Sequence, residues 1–163
     1  MRVLGIDPGY AIVGIGVVES EGNKLKPVDF SAILTNAKTE YPDRLKIIYD
    51  RMNEYIKLHN PEAISIEKLF FQNNATTAMK VAEARGVIIL AARENNIPIF
   101  EYTPLQVKSA VVGYGKAVKS QVMEMTRILL GLKERPKPDD TADALALAIC
   151  HIHTASSKLN RLK

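Results

Sequence analysis

The chain has 163 residues, 47% hydrophobic and 25% charged, with 22 Lys plus Arg against 18 Asp plus Glu and a formal charge of +4. That length supplies one domain with a sizeable core, and the composition excludes a disordered or fibrous chain. A single cysteine, Cys150, excludes an internal disulfide, no apolar run reaches the ~18–20 residues of a membrane span, and no secretory signal precedes Asp7-Pro8, so the cytoplasm is the expected compartment.

Residues 3–6 are a short apolar run closed by the turn-forming Asp7-Pro8-Gly9 and predict a strand. Residues 12–18 predict a second strand and residues 25–34 a third, with Glu21-Gly22-Asn23-Lys24 as the turn between them. Three consecutive strands imply an antiparallel meander. Beyond Pro42, Leu45, Ile48, Met52, Tyr55 and Ile56 recur at helical spacing as far as His59-Asn60-Pro61. Residues 63–66 read as a buried strand ending at Glu67, and residues 74–93 as a long helix whose apolar surface exceeds one stripe. A fifth strand is expected over 98–102, after which Thr103-Pro104 supplies an N-cap and an N1 proline. Further helices are predicted over 119–130 and 140–154. Residues 1–155 are expected to form one domain, with 156–163 a short basic tail. The order predicts an α/β fold: a five-stranded mixed sheet, three antiparallel strands first and then alternating helix and strand, flanked by helices.

Several chemistries lack their residues. Neither phosphate-cradling glycine loop is present, nor a G-x-S-x-G nucleophile elbow. One cysteine with His59, His151 and His153 cannot build a structural zinc site at the usual spacings. What stands out is acidic. Asp7 closes the first strand on the face it shares with Val3 and Gly5, beside a glycine-lined approach, although turn chemistry alone accounts for an aspartate there. Glu67 closes a buried strand, where glutamate is uncommon, although a solvated strand end would tolerate it. Asp139, Asp140 and Asp143 open the last helix, where acids complement the macrodipole, and Asp140 and Asp143 share one helical face.

Together these acids predict more than each does alone. Parallel neighbouring strands would bring Asp7 and Glu67 to one carboxyl edge, where α/β sheets place their ligands. Converging carboxylates repel one another unless a cation neutralises them, and an oxygen-only donor set favours Mg²⁺ or Mn²⁺. Two such ions about 3.5–4 Å apart suit in-line hydrolysis of a phosphodiester. Lys108, Lys116 and Lys119 fall in one short region that could meet a polyanion, though each alone is commonly a solvated surface residue. Phe70 and Phe71 follow Glu67, and one ring could stack on a base while the other packs inward.

In order along the chain stand Gly5-Ile6-Asp7-Pro8-Gly9, Ile66-Glu67 with Phe70, Ala84-Arg85-Gly86, Gln106-Val107-Lys108, Val111-Val112-Gly113, Lys119-Ser120-Gln121-Val122 and Asp140-Thr141-Ala142-Asp143-Ala144-Leu145-Ala146. This set, spanning nearly the whole chain, resembles the RuvC-type Holliday junction resolvases of bacteria. The resemblance implies a ribonuclease H-like fold and a homodimer, formed here through the helix at 74–93. It implies cleavage of four-way junction DNA by two symmetric nicks with Mg²⁺, two ions per subunit with Mn²⁺ able to substitute. It assigns Asp7, Glu67, Asp140 and Asp143 as the catalytic metal-binding acids, Phe70 as the ring that stacks at the crossover, and Lys108 and Lys119 as basic residues near the scissile phosphate. A branch-migration motor complex is the partner it implies. Lys68 departs from the glutamine common at that place in the family. Two competing expectations are a nuclease that trims RNA or flapped DNA and a catalytically silent binder of branched DNA. An actin-like ATPase would need two such domains.

Overall fold

The computed structural model describes residues 1–69 and 75–161, with side chains described for 1–69 and 77–156. Five strands and five helices follow one another as β1 (Arg2–Asp7), β2 (Ile12–Glu21), β3 (Lys24–Leu34), α1 (Tyr41–His59), β4 (Ala63–Glu67), α2 (Ala75–Glu94), β5 (Ile99–Tyr102), α3 (Pro104–Val112), α4 (Lys119–Leu129) and α5 (Asp139–Arg161). The sheet order is β3-β2-β1-β4-β5. β1 pairs antiparallel with β2, and β2 with β3, while β4 runs parallel to β1 and β5 parallel to β4. The predicted meander and mixed sheet are therefore both present.

Alternation along β1 divides the core in two. Leu4 and Ile6 face α1 and α2, packing with Ile15, Ile64 and Ile66 against Ile48, Met52 and Ile88. Val3 faces the other way, with Val18, toward Leu145 and Ile149 of α5 and Val122 of α4. The sheet is thus a middle layer between two helical layers.

α5 lies unusually close to the sheet, because glycines lie beneath it. A Cβ on Gly5 would stand 1.9 Å from the Ala144 carbonyl oxygen, and one on Gly14 would stand 2.0 Å from that of Asp140. One on Gly16 would stand 2.7 Å from the Leu145 nitrogen. These residues are side by side in the sheet, Gly5 opposite Gly16 and Asp7 opposite Gly14. The buried Ser65 hydroxyl of β4 adds a specific tie, donating to the Leu147 carbonyl at 2.7 Å. The glycine-lined approach read beside Asp7 is therefore occupied by this chain's own helix.

Helix ends follow their chemistry. Thr103 accepts from the Gln106 amide at 3.2 Å while Gln106 Oε1 accepts from the Thr103 amide at 2.8 Å, a reciprocal cap ahead of Pro104. α1 stops where Asn60 turns left-handed at φ 43°. α5 runs on to Arg161, beyond the predicted stop at Thr154, because residues 155–161 contain neither glycine nor proline to break it. The backbone of the expected basic tail is accordingly helical as far as Arg161.

Candidate active site

Three elements deliver the acids to one place. Asp7 is the last residue of β1 and Glu67 the last of β4, and the parallel register that pairs Gly5 with Ser65 and Ile6 with Ile66 carries both to the same edge. Gly5 and Ser65 both meet α5, so two residues further on Asp7 and Glu67 point to the α5 side as well. Asp143, in the first turns of α5, faces them. A cleft of about 280 Å³ opens there, lined by Asp7, Glu67, Asp143, Lys108 and Lys119, with Pro104, Val107, Val122, Ala146 and Leu147 as its apolar walls.

Asp140 does not line that cleft. It stands one turn earlier on α5, over Gly14, and acts on Asp7 through its charge. Lys116 is exposed on the segment joining α3 to α4 and also lies off the cleft. Phe70 falls outside the described residues.

Lys119 does something its position in the sequence did not suggest. Its side chain stays exposed along its length, yet its ammonium lies 2.8 Å from Asp143 Oδ2, at the mouth of the acidic group. The carboxylates are charged against resistance. Asp7 is pushed up to about 8, by burial first and then by the neighbouring Asp143, Glu67 and Asp140, with Lys119 opposing. Glu67 is raised by burial and by Asp143. Asp143 is raised by burial even though its bond to Lys119 pulls the other way, and that same bond raises Lys119. Burial and mutual repulsion of the acids together outweigh the pull of the Lys119 ammonium. Among the described residues no three ligating side chains are drawn together tightly enough to hold an ion. Of the two lysines that line the cleft, Lys119 is the one paired with an acid, Asp143. An oxygen-only donor set whose ionisation is resisted by burial and repulsion fits a hard divalent cation, and it offers nothing to a soft one.

A pH dependence follows. A carboxyl whose folded pKa is raised stabilises the fold while it is protonated, and that contribution is lost as pH rises toward the folded value. For Asp7 the window runs from its ordinary 3.8 to about 8, and Glu67 and Asp143 act in the same direction. Lys119, whose pKa is also raised, acts in the same direction, but its contribution is lost only above the ordinary lysine range, outside this window. Urea midpoints measured in EDTA between pH 5 and pH 8 should therefore fall, by roughly 1 kcal/mol of stability per pH unit. The Asp7→Asn protein should show a shallower slope. Equal slopes for the two proteins would contradict the burial argument.

The apolar walls and the pairing of Lys119 with Asp143 were not legible in the chain. Val107 and Val122 look like ordinary helix positions, and only packing reveals that their side chains line the cleft.

The family model described as "Crossover junction endodeoxyribonuclease RuvC" matches residues 3–151. A crossover junction endodeoxyribonuclease RuvC from Alkaliphilus metalliredigens is 58% identical over 154 residues, covering 94% of this chain and 94% of that protein. The Thermus thermophilus RuvC structure superposes with a TM-score of 0.91 at 38% identity, covering 97% of both chains. The T. thermophilus RuvC in complex with Holliday junction substrate gives 0.89 at 37% identity, covering 96% of both.

Proposed function

The chain belongs to the RuvC family of crossover junction endodeoxyribonucleases, and on that footing we propose that it resolves Holliday junctions by paired symmetric nicks made in the Asp7–Glu67–Asp143 cleft. One observation carries the reading: strand and helix ends from three parts of the chain bring half-buried carboxylates and two lysines into one cleft. Turn or capping roles would account for each acid, but not for their meeting.

Asp7, Glu67, Asp140 and Asp143 would hold Mg²⁺, two ions in the full site, with Mn²⁺ able to substitute. When bound, the metal supplies an activated water and steadies the leaving oxygen of the phosphodiester. The chain's own residues do the rest. Asp7 and Glu67 stand at the ends of paired strands, so their carboxylates are held in place before DNA arrives. Lys108 and Lys119 reach the strand through its phosphates, and Lys116 extends the positive surface outside the cleft. Lys119 can serve the DNA only after leaving Asp143, so its ammonium passes from an internal carboxylate to a phosphate. Base-specific contacts are not needed for this chemistry, and recognition rests on the shape and bending of the branched substrate.

The reading includes a homodimer through α2. Its outer surface exposes Met79 (62%) and Leu90 (53%) and passes Gly86, over which the space is open. An apolar stripe with a small residue at its middle lets a second helix approach closely. A two-fold axis would present one cleft to each of two symmetry-related strands.

The test incubates the protein with a mobile four-way junction and with matched linear duplex, in Mg²⁺ and in EDTA, alongside light scattering for mass. Paired nicks confined to the junction and dependent on the metal, from a dimer, are expected. Junction binding without cutting in either Mg²⁺ or Mn²⁺ would leave a branched-DNA binder. Faster cutting of RNA or flapped DNA than of the junction would point to a different nuclease.

A further inference from the structure

We infer that Arg85, on the inner side of α2, is a positioning residue for Glu67: it grips the backbone on which that carboxylate stands. The inference rests on the nuclease reading for its consequence and on geometry for its existence.

Arg85 is largely buried, with its side chain 15% exposed. Its Nη2 lies 2.6 Å from Glu101 Oε1 on β5, and its Nε donates to the Glu67 carbonyl oxygen at 3.4 Å. One guanidinium thus joins α2 to the ends of two neighbouring strands, using the fork of donors that a lysine lacks. On the far side of the same peptide, the Lys68 amide donates to the Tyr102 carbonyl at 2.8 Å. The peptide joining Glu67 to Lys68 is therefore held at its carbonyl by α2 and at its amide by β5. Ladder bonding ends here, since the β4–β5 pairing stops at Glu67 and Tyr102. A strand's last residue usually frays. This one carries a catalytic acid.

Arg85 acts through position and not through charge. Its charge is matched by Glu101, whereas Glu67 answers to burial, Asp143 and Lys119. Losing Arg85 should accordingly loosen Glu67 without changing how readily it ionises. Misplacement of a reacting group by a fraction of an ångström to an ångström is costly in rate and need not affect binding.

Three variants test this: Arg85→Gln, Arg85→Lys and Glu101→Gln. In Arg85→Gln, single-turnover cutting of pre-bound junction should slow by about 10–100-fold. Junction affinity should stay within about threefold, and the midpoint of the pH–rate profile should not move. Arg85→Lys should recover part of the rate. Glu101→Gln should lose less than Arg85→Gln, because the bond to the Glu67 carbonyl survives. Hydrogen exchange supplies a readout that needs no cutting: the Lys68 amide should exchange about tenfold faster in Arg85→Gln than in the parent. Unchanged exchange at Lys68 overturns the inference even if the protein cuts nothing. So does a rate loss matched by loss of folded protein at the assay temperature, or weakened junction affinity with an intact rate, which would make Arg85 a DNA contact. Failure of the parent to cut, with faster Lys68 exchange in the variant, would refute the nuclease reading and leave the positioning intact.

Discussion

Asp7→Asn should abolish junction cutting, lowering the single-turnover rate by at least about 10³-fold, equivalent to roughly 4 kcal/mol of barrier, while junction affinity is unchanged or improved. Asp7 is the acid to which the others converge: burial raises it most, and Asp143, Glu67 and Asp140 all raise it further. Asparagine keeps the shape and one oxygen but removes the negative charge a divalent ion needs. The DNA backbone is itself anionic, so a less acidic cleft costs nothing in binding. The same substitution should stabilise the metal-free fold at pH 8, because a charge held against burial is gone. Cutting by Asp7→Asn within tenfold of the parent would show that this carboxylate is not at the chemistry.

Gly5→Ala is expected to be the most damaging change to the fold. The added Cβ would meet the Ala144 carbonyl oxygen at 1.9 Å and the Ala148 nitrogen at 2.8 Å. Both are backbone atoms in the middle of a helix, so no side chain can swing away, and α5 must lift off the sheet. The cost should be about 3–5 kcal/mol, enough to leave a chain of this size largely unfolded or molten. Gly86→Ala is the matched control. Nothing stands within 4 Å of its added Cβ, and alanine should favour the helix by up to about 1 kcal/mol within a single subunit. Urea denaturation of the two proteins, Gly86→Ala measured as a monomer, compares them directly. A Gly5→Ala protein as stable as the parent would mean that α5 does not rest on the sheet as closely as described.

Much of this site was legible because its residue types are costly where they stand. A glutamate at the end of the buried run Ala63–Ile66, and two aspartates one turn apart ahead of the apolar stretch from Ala144, are readable without coordinates. So were the order of the strands and the Thr103 cap, which depend on local patterns. What was not legible depends on contacts between distant segments. Gly5, Gly14 and Gly16 read as strand or turn glycines until α5 is laid across them. Ser65 is a small polar residue in an apolar strand until Leu147 supplies its acceptor. The pairing of Lys119 with Asp143 joins the starts of two helices and could not be read from either one. Arg85 was visible only as part of a motif, since its two carboxyl-edge partners lie 18 residues before it and on a later strand.

The dependence of the cleft on α5 also sets when, on the proposed reading, the chain could first act on DNA. Synthesis releases β1 and β4 first, so Asp7 and Glu67 leave the ribosome long before Asp140 and Asp143 exist. Until that final helix arrives, nothing covers the glycine face of β1 and β2, and half of the carboxylates are missing. On the proposed reading, a chain without α5 has no complete cleft. On that reading, competence to cut arrives with α5, the same element that closes over the glycine face.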